Sequence, residues 1–587
     1  MRSRHLVSIV LFAGLSAAAC TSRTRSGESR HSFFAASLEQ QVALVEVGGD
    51  RAVFVAPHAN QEVDWRTATV GKGVVLAKAS EDGRRLFVVS KGEQGSEPPT
   101  LTVFEGATNG EANAARRFEL PSAHSALAVD PTGRWVGLYT RMKQDLSGIQ
   151  AESVVPGQVS ALADPPAFSL IPALEGEIQN EVVLVDLDAS PELAVSSRLV
   201  GEPNEPPVQL WFSPVLQLPA GPRRLLVSQS SSRAFLLELD RLAANPAVQP
   251  ELLTTLPTSS TTVMFDDGAP DRTDDARIVM LLTESSTPIL NRDPVMSSRL
   301  AMFTFAPLSG AAPQASGREF ETVSTGVDFK RYASEFAFVN TAAGRRIAVL
   351  VNPSPAVVFV DPDDPTGNAA TMDLAFAHNA LEVHWVRTRT AATEGGADAF
   401  LLSAGIIVNE TAYWSLEPTS EQPFGNVQQP FSFPGVLELL DVPPPHEDLK
   451  ILRPSGYCCF TGFYVLDRRT LSVMSFSESS AASLRVSPDG RHVSYFTTDP
   501  DKNGLTEWVG ATVNLDDLTV THFPLDGRRG AMFDVARPEG GRAIVVLGGD
   551  SSTDGPIQGD GTMTVFDAES PKVSTARSYS ALLLGAP

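Results

Sequence analysis

The chain has 587 residues, with 69 acidic side chains against 46 Lys and Arg and a formal charge of −23. A surface of that sign repels nucleic-acid phosphates and anionic headgroups, which excludes basic-patch binding to either. A hydrophobic content of 42% excludes wholesale disorder, and 43 prolines and 44 glycines spread along the chain imply many short elements separated by turns.

At the N-terminus, Arg2 and Arg4 form a basic region, Leu6 to Leu15 an apolar run, and Ser16-Ala17-Ala18-Ala19 a small-residue stretch before Cys20. This reads as a signal peptide over residues 1–19. The apolar run is shorter than the ~18 to 20 residues needed to cross a bilayer, and no later segment is long and apolar enough. Small residues followed at once by Cys resemble the bacterial lipobox. That resemblance implies diacylglycerol on the Cys20 thiol, cleavage that leaves Cys20 first, and a lipid anchor in a membrane of the cell envelope. Ala17 stands where the lipobox favours Leu, which leaves an ordinary cleavage site near Ala19 as the alternative. By the same resemblance Thr21, where inner-membrane retention shows Asp, implies the outer membrane. Removing Arg2 and Arg4 takes the mature charge to −25. Residues 20–35 are expected to be the lipidated Cys and a tether, because Thr21 to Ser32 is rich in Ser and Arg.

Beyond the tether one grammar recurs. "ASEDGRRLFVVS", "AVDPTGRWVGLYT", "VNTAAGRRIAVLV", "RVSPDGRHVSYFT" and "ARPEGGRAIVVLG" each read strand, turn with Gly, Arg, strand, with turn glycines at 83, 133, 344, 490 and 540. Gly83 to Gly133 and Gly490 to Gly540 are both 50 residues apart, close to the ~40 to 50 of a four-stranded propeller blade. Weaker copies fall around Gly221, Asp274 and Gly395, and a Pro/Ala-rich stretch from Gly148 to Asn180 reads as an insertion between two strands of one blade. A second signature follows, an apolar run ending in an acidic turn, as in "VVLVDLDAS", "AFLLELDRL", "VVFVDPDDP", "FYVLDRRTLSV", "TVNLDDLTV" and "MTVFDAESP". Asp and Asn favour such tight turns by bonding their own backbone.

The two signatures together make a four-stranded antiparallel meander. Repeated in one chain, such units are stable when packed radially. The expectation is an all-β fold, a single β-propeller of about eight blades (seven to nine) over residues 36–587, with two smaller propellers as the alternative. Pro443-Pro444-Pro445 marks the most degenerate slot. The strands "QVALVEVG" and "RAVFVAP" are expected to close the ring with C-terminal strands such as "SALLLGAP". The repeat resembles TolB-like and YVTN-type lactonase-like propellers, which specifies fold better than function.

Chemistry-bearing residues are few. Cys458 and Cys459 read either as small apolar residues or as a vicinal disulfide, a strained bridge because adjacent Cα atoms lie only ~3.8 Å apart. In "DPDKNGLTE", Asp499, Asp501, Asn503 and Glu507 alternate around Gly504, the oxygen pattern that Ca²⁺ favours. Gly510 stands where an EF-hand needs Glu. The segment resembles instead the calcium hairpin of FG-GAP propeller repeats; a solvated Asp/Asn turn is the other reading. His378 and His384 read as structural, and the carboxylate pairs Asp266-Asp267 and Asp274-Asp275 as loop charge. No G-x-S-x-G, P-loop or Rossmann fingerprint is present. Two functions stay open: a noncatalytic scaffold that binds a protein or glycan on one propeller face, and a lactonase-like enzyme that uses the central funnel. Convergent polar groups in the axial channel would favour the enzyme.

Overall fold

A computed structural model describes residues 31–58, 63–80, 82–106, 115–145, 169–172, 174–203, 205–207, 209–218, 221–230, 233–255, 261–266, 276–286, 295–305, 314–321, 332–341, 344–352, 356–366, 369–373, 380–386, 399–404, 410–417, 426–434, 437–454, 462–467, 469–470, 472–476, 481–498, 508–525, 530–550, 556–568 and 573–578. Among them helix is confined to Pro191–Ala194 and Leu239–Ala244. The fold is an all-β propeller. Eight antiparallel four-stranded sheets follow one another, spanning residues 74–119, 126–199, 209–255, 261–321, 332–373, 380–434, 437–476 and 482–524. A further, eight-stranded sheet joins the two ends, taking four strands from residues 31–69 and four from 531–578.

Where side chains are described the sheets bury both faces, which explains why second and third strands there read as continuous apolar runs. Arg85–Ser90 is buried at every position after the first, and Glu181–Asp186 throughout. Side chains of alternating parity enter different clusters. Leu86 and Val88 pack on Ala43, Val45 and Phe54 of the preceding strands, whereas Phe87 and Val89 pack on Val136, Leu138, Val183 and Val185 of the following sheet. Such two-sided interfaces run from the sheet at 437–476 through the chain ends to the sheet at 332–373. Each fully buried Phe or Leu contributes roughly 1.5–3 kcal/mol, so removing one blade would expose two interfaces at once.

Closure joins the chain ends. His31–Ser37 pairs with Val42–Glu46 on one edge and, through His31↔Gly559, Ser32↔Gln558 and Phe33↔Ile557, with Ile557–Asp567 on the other. Phe33 is fully buried between the two ends. The strand takes in residues 31–35, assigned to the tether on composition. "SALLLGAP" lies outside the described residues. The insertion falls between the second and third strands of the sheet at 126–199, where it begins and ends as the hairpin Met142–Asp145 with Ser169–Pro172. Around Gly221 the weak copy is a short hairpin, Leu216–Leu218 with Gly221–Arg223, before the strand Leu225–Gln229.

The recurrent Gly-Arg turn has a chemical reason. Ser80 Oγ donates to Asp82 Oδ1 (2.6 Å) and accepts from the Arg85 N–H (2.9 Å), while Asp82 accepts from the Arg84 N–H (3.0 Å). Ser487, Asp489, Arg491 and His492 repeat the mesh at 2.5, 2.9 and 3.1 Å. In both, the Gly N–H closes the turn onto the Ser carbonyl. Closing it takes positive φ, found at Gly83 (+66°), Gly133 (+70°), Gly490 (+65°) and Gly540 (+96°), which glycine adopts without a Cβ clash. The Arg then reaches the acidic residue of the second signature: Arg134 grips Asp186 through Nε (2.8 Å) and Nη2 (2.7 Å), Arg224 meets Asp240 at 3.1 Å and Arg491 meets Asp516 at 2.9 Å. Two motifs whose Arg and Asp stand 52, 16 and 25 residues apart along the chain are one cross-strand contact in space.

Because neighbouring strands alternate in direction, first-to-second and third-to-fourth links emerge on one side, the turn face, and all other links on the opposite, entry face. On the turn face the Glu39 N–H donates to Gly83 O (3.0 Å) and the Ala536 N–H to Glu39 O (3.2 Å), stitching the two halves of the eight-stranded sheet to the sheet at 74–119. On the entry face the Val47 N–H donates to Ser32 O (3.0 Å) and the Gly48 N–H to Val74 O (2.8 Å).

Candidate functional site

Four strands that each begin a four-strand unit, His31–Ser37, Leu437–Asp441, Ala482–Val486 and Ala531–Ala536, bound a cavity of ≈ 290 Å³, which a propeller places toward its central channel. It lies at their C-terminal ends, on the turn face. Ser37, Asp441, Arg485, Ser494, Phe533 and Asp534 supply its polar and aromatic surface. The Arg485 guanidinium sits 4.9 Å from the centroid of the Phe533 ring, a contact that favours keeping a cation at an apolar wall. Asp534 is buried and held by Arg542, with Nε at 2.9 Å. Asp441 pairs with Lys450, and Ser37 Oγ donates to the Asp534 carbonyl at 3.4 Å. Ser494 Oγ is buried with no hydrogen-bond partner among the described residues.

Both carboxylates in this cavity are therefore bound to a basic side chain of their own sheet. Asp534, buried with its oxygens already serving the Arg542 guanidinium, is poorly placed to act as a general base. The surface that remains, hydroxyls and an aromatic ring under a guanidinium, suits recognition by shape and hydrogen bonding. Among the described residues no group of three or more His, Cys, Asp or Glu is placed to hold a metal ion.

A second polar centre lies on the entry face. His124 is fully buried in the segment between Ala115–Glu119 and Ala126–Val129, with Ser122 Oγ 3.0 Å from its Nε2 and Glu181 Oε2 at 3.5 Å. Ser122 and Ser197 both donate to the Glu181 carboxylate. Burial pushes the Glu181 pKa up, but the hydrogen bonds and the His124 ring outweigh it and hold the carboxyl below its ordinary value. A nucleophilic triad needs one imidazole nitrogen on the hydroxyl and the other on the acid. Here serine and acid share Nε2, and Nδ1 has no hydrogen-bond partner among the described residues. The mesh fastens an inter-sheet segment to Glu181–Asp186 and Val195–Leu199. Above it Ser122 borders a ≈ 500 Å³ hollow with Lys91, Glu93 and Glu97, where Glu93 is held by Lys72 at 2.5 Å and Glu97 by Arg117. "PSAHSALAV" carries no spacing that could have singled out Ser122 or His124, since Glu181 joins them only through sheet pairing.

The residues singled out by sequence fall elsewhere. Cys20, Cys458, Cys459, Asp499, Asp501, Asn503 and Glu507 lie outside the described residues, as do His378, Asp267, Asp274 and Asp275. The strands that flank the acidic segment are described: Thr498 pairs with Trp508, which holds the segment's two ends together. His384 lies in the strand Ala380–Val386, opposite Leu401. Asp266 is not loop charge; it is buried and meets Arg345 of the next sheet at 2.7 Å. Pro443-Pro444-Pro445 links two strands and backs the turn at Gly490.

No protein-family model matches this chain, and a search of curated proteins found no match. Solved structures that resemble it include a eukaryotic initiation factor, at 10% identity over 84% of this chain and 96% of that one with a TM-score of 0.42. Another is the Pseudomonas aeruginosa periplasmic gluconolactonase PpgL, at 13% identity over 70% and 97% with a TM-score of 0.27. A third is the Dos1 propeller, at 8% identity over 72% and 88% with a TM-score of 0.33. At these identities the likeness is one of fold and does not extend to chemistry.

Proposed function

We propose that this protein is an envelope lipoprotein, held in the outer membrane by a lipid on Cys20, whose propeller is a noncatalytic scaffold that binds a protein or glycan at the axial cavity on the turn face. The anchor rests on the order of Arg2 and Arg4, Leu6 to Leu15, Ser16 to Ala19 and Cys20. The observation that carries the scaffold reading is the pairing of both cavity carboxylates, Asp534 with Arg542 and Asp441 with Lys450. Several acyl chains hold a protein far better than one, since each buried CH₂ adds ~0.8 kcal/mol.

Cys20→Ser is expected to move the protein from the membrane to the soluble fraction; retention on the membrane refutes the anchor. In-cell crosslinking followed by purification of wild type, Arg485→Glu and Phe533→Ala is expected to recover a partner with the wild type and lose it in both variants. Turnover of a lactone panel by the purified protein, abolished by Asp534→Asn, would replace the scaffold with the enzyme.

A further inference from the structure

The place where the chain enters the ring limits which way the ring can face. The strand His31–Ser37 runs from the entry face to the turn face, because Ser32 meets the Val47 N–H on the first and Ser37 leads into Leu38–Gln41 on the second. It is also an inner strand: Ser37 Oγ reaches the Asp534 carbonyl of Ala531–Ala536 and borders the axial cavity. An anchor on Cys20 therefore pulls from the entry face, close to the axis.

Only Thr21 to Arg30 separate Cys20 from this strand. Eleven Cα steps reach at most ~36–40 Å when fully extended, and a flexible coil of that length averages roughly 18 Å end to end. Laying the turn face on a bilayer would require the tether to cross three strand spacings to the outer edge, about 14 Å, and then descend the length of a seven-residue strand, about 23 Å. That is ~37 Å before side chains and turns are cleared, which takes the whole reach of a taut tether and about twice the mean span of a coil of that length. With the entry face down no such detour is needed. The same face carries Val47 beside the entry point, 36% exposed, and Ile178 and Leu199, at 43% and 62%. Leu199 is opposite Glu181, and the next residue, Val200, bonds Asn180 O at 2.7 Å, which places these side chains on the entry side.

We infer that the lipidated protein sits with its entry face against the bilayer surface, and that the turn face, with its Gly-Arg turns and the axial cavity, points away from the membrane toward soluble partners. This rests on the anchor proposed above. Its consequence is that partners approach Arg485 and Phe533 without competing with lipid, whereas the hollow beside Ser122 faces the headgroups.

The test uses lipidated full-length protein on vesicles of phosphatidylcholine and phosphatidylethanolamine, chosen because the acidic chain is repelled by anionic lipid. A photoreactive benzophenone side chain is placed singly at Val47 or Ile178, or on the turn face at Glu539 or Asp517, both exposed. After flotation and irradiation, lipid adducts are expected at Val47 and Ile178 in several-fold excess over Glu539 and Asp517. Lengthening the tether threefold after Ser29 should erase that excess. Equal labelling of both faces by protein that floats would overturn the orientation and leave the anchor standing. A bias that survives the long tether would also overturn it, because the tether would not be its cause. Failure to float would remove the anchor and the orientation together.

Discussion

Gly490→Ala is the sharpest test of the turn chemistry, because the four equivalent glycines share a backbone conformation but not their surroundings. All four have positive φ, so an Ala at any of them costs about 1–2 kcal/mol of left-handed strain. A Cβ on Gly540 meets nothing within 4 Å, one on Gly133 comes 3.0 Å from the Arg85 Nη1, and one on Gly83 comes 3.0 Å from Pro488 Cβ. On Gly490 it would lie 2.0 Å from the Pro443 carbonyl oxygen and 2.7 Å from that of Pro444, backbone that cannot swing aside. Overpacking of that kind adds about 1–3 kcal/mol, for a total of ~2–5 kcal/mol at Gly490 against ~1–2 at Gly540. If the ring unfolds as a unit, its unfolding entropy is about 1 kcal/mol per kelvin, so each kcal/mol moves Tm by only about 1 °C. Urea midpoints are then the better assay, with calorimetry to check cooperativity. Equal losses at Gly490 and Gly540, or none at Gly490, would refute the assignment of these turns.

Arg134→Ala strips the partner from buried Asp186 and should cost about 2–3 kcal/mol in urea unfolding, with a coupling of about 1–2 kcal/mol to Asp186→Asn; additive losses would mean that the two sequence signatures do not cooperate. Glu181, whose folded pKa is depressed, contributes stability that is fully present above its ordinary value of 4.5 and lost as pH falls through the lower folded value. Glu181→Gln should therefore differ most from wild type near neutrality and converge with it as acid titrates the carboxylate through its depressed folded value; a constant gap would contradict the depressed pKa. If Asp499, Asp501, Asn503 and Glu507 bind Ca²⁺, saturating calcium at ~100 times Kd should add about 2.7 kcal/mol. Chelator should then lower the melting temperature of wild type but not of Asp501→Asn, and an unchanged wild-type melt would favour the solvated turn.

By itself the sequence determined the blade grammar. Gly at positive φ, an Asp or Ser that caps its own turn, and two-faced apolar strands are local requirements, so each leaves a trace within ten residues. "SPDGRH" and "DPTGRW" state their turns outright. The insertion after Tyr139 is legible as a broken spacing for the same reason. Tertiary structure alone decided which separated residues meet. The Arg of one signature finds the Asp of the next through strand register. Asp266, unremarkable beside Asp267, becomes buried because the next sheet brings Arg345 against it. Closure likewise depends on which strands meet: His31–Ser37 pairs with Ile557–Asp567 across the two chain ends and buries Phe33 between them. The axial cavity was equally hidden: Ser37, Asp441, Arg485 and Phe533 come from four strands in three sheets, and a propeller gathers such residues by packing blades around an axis that no linear spacing encodes.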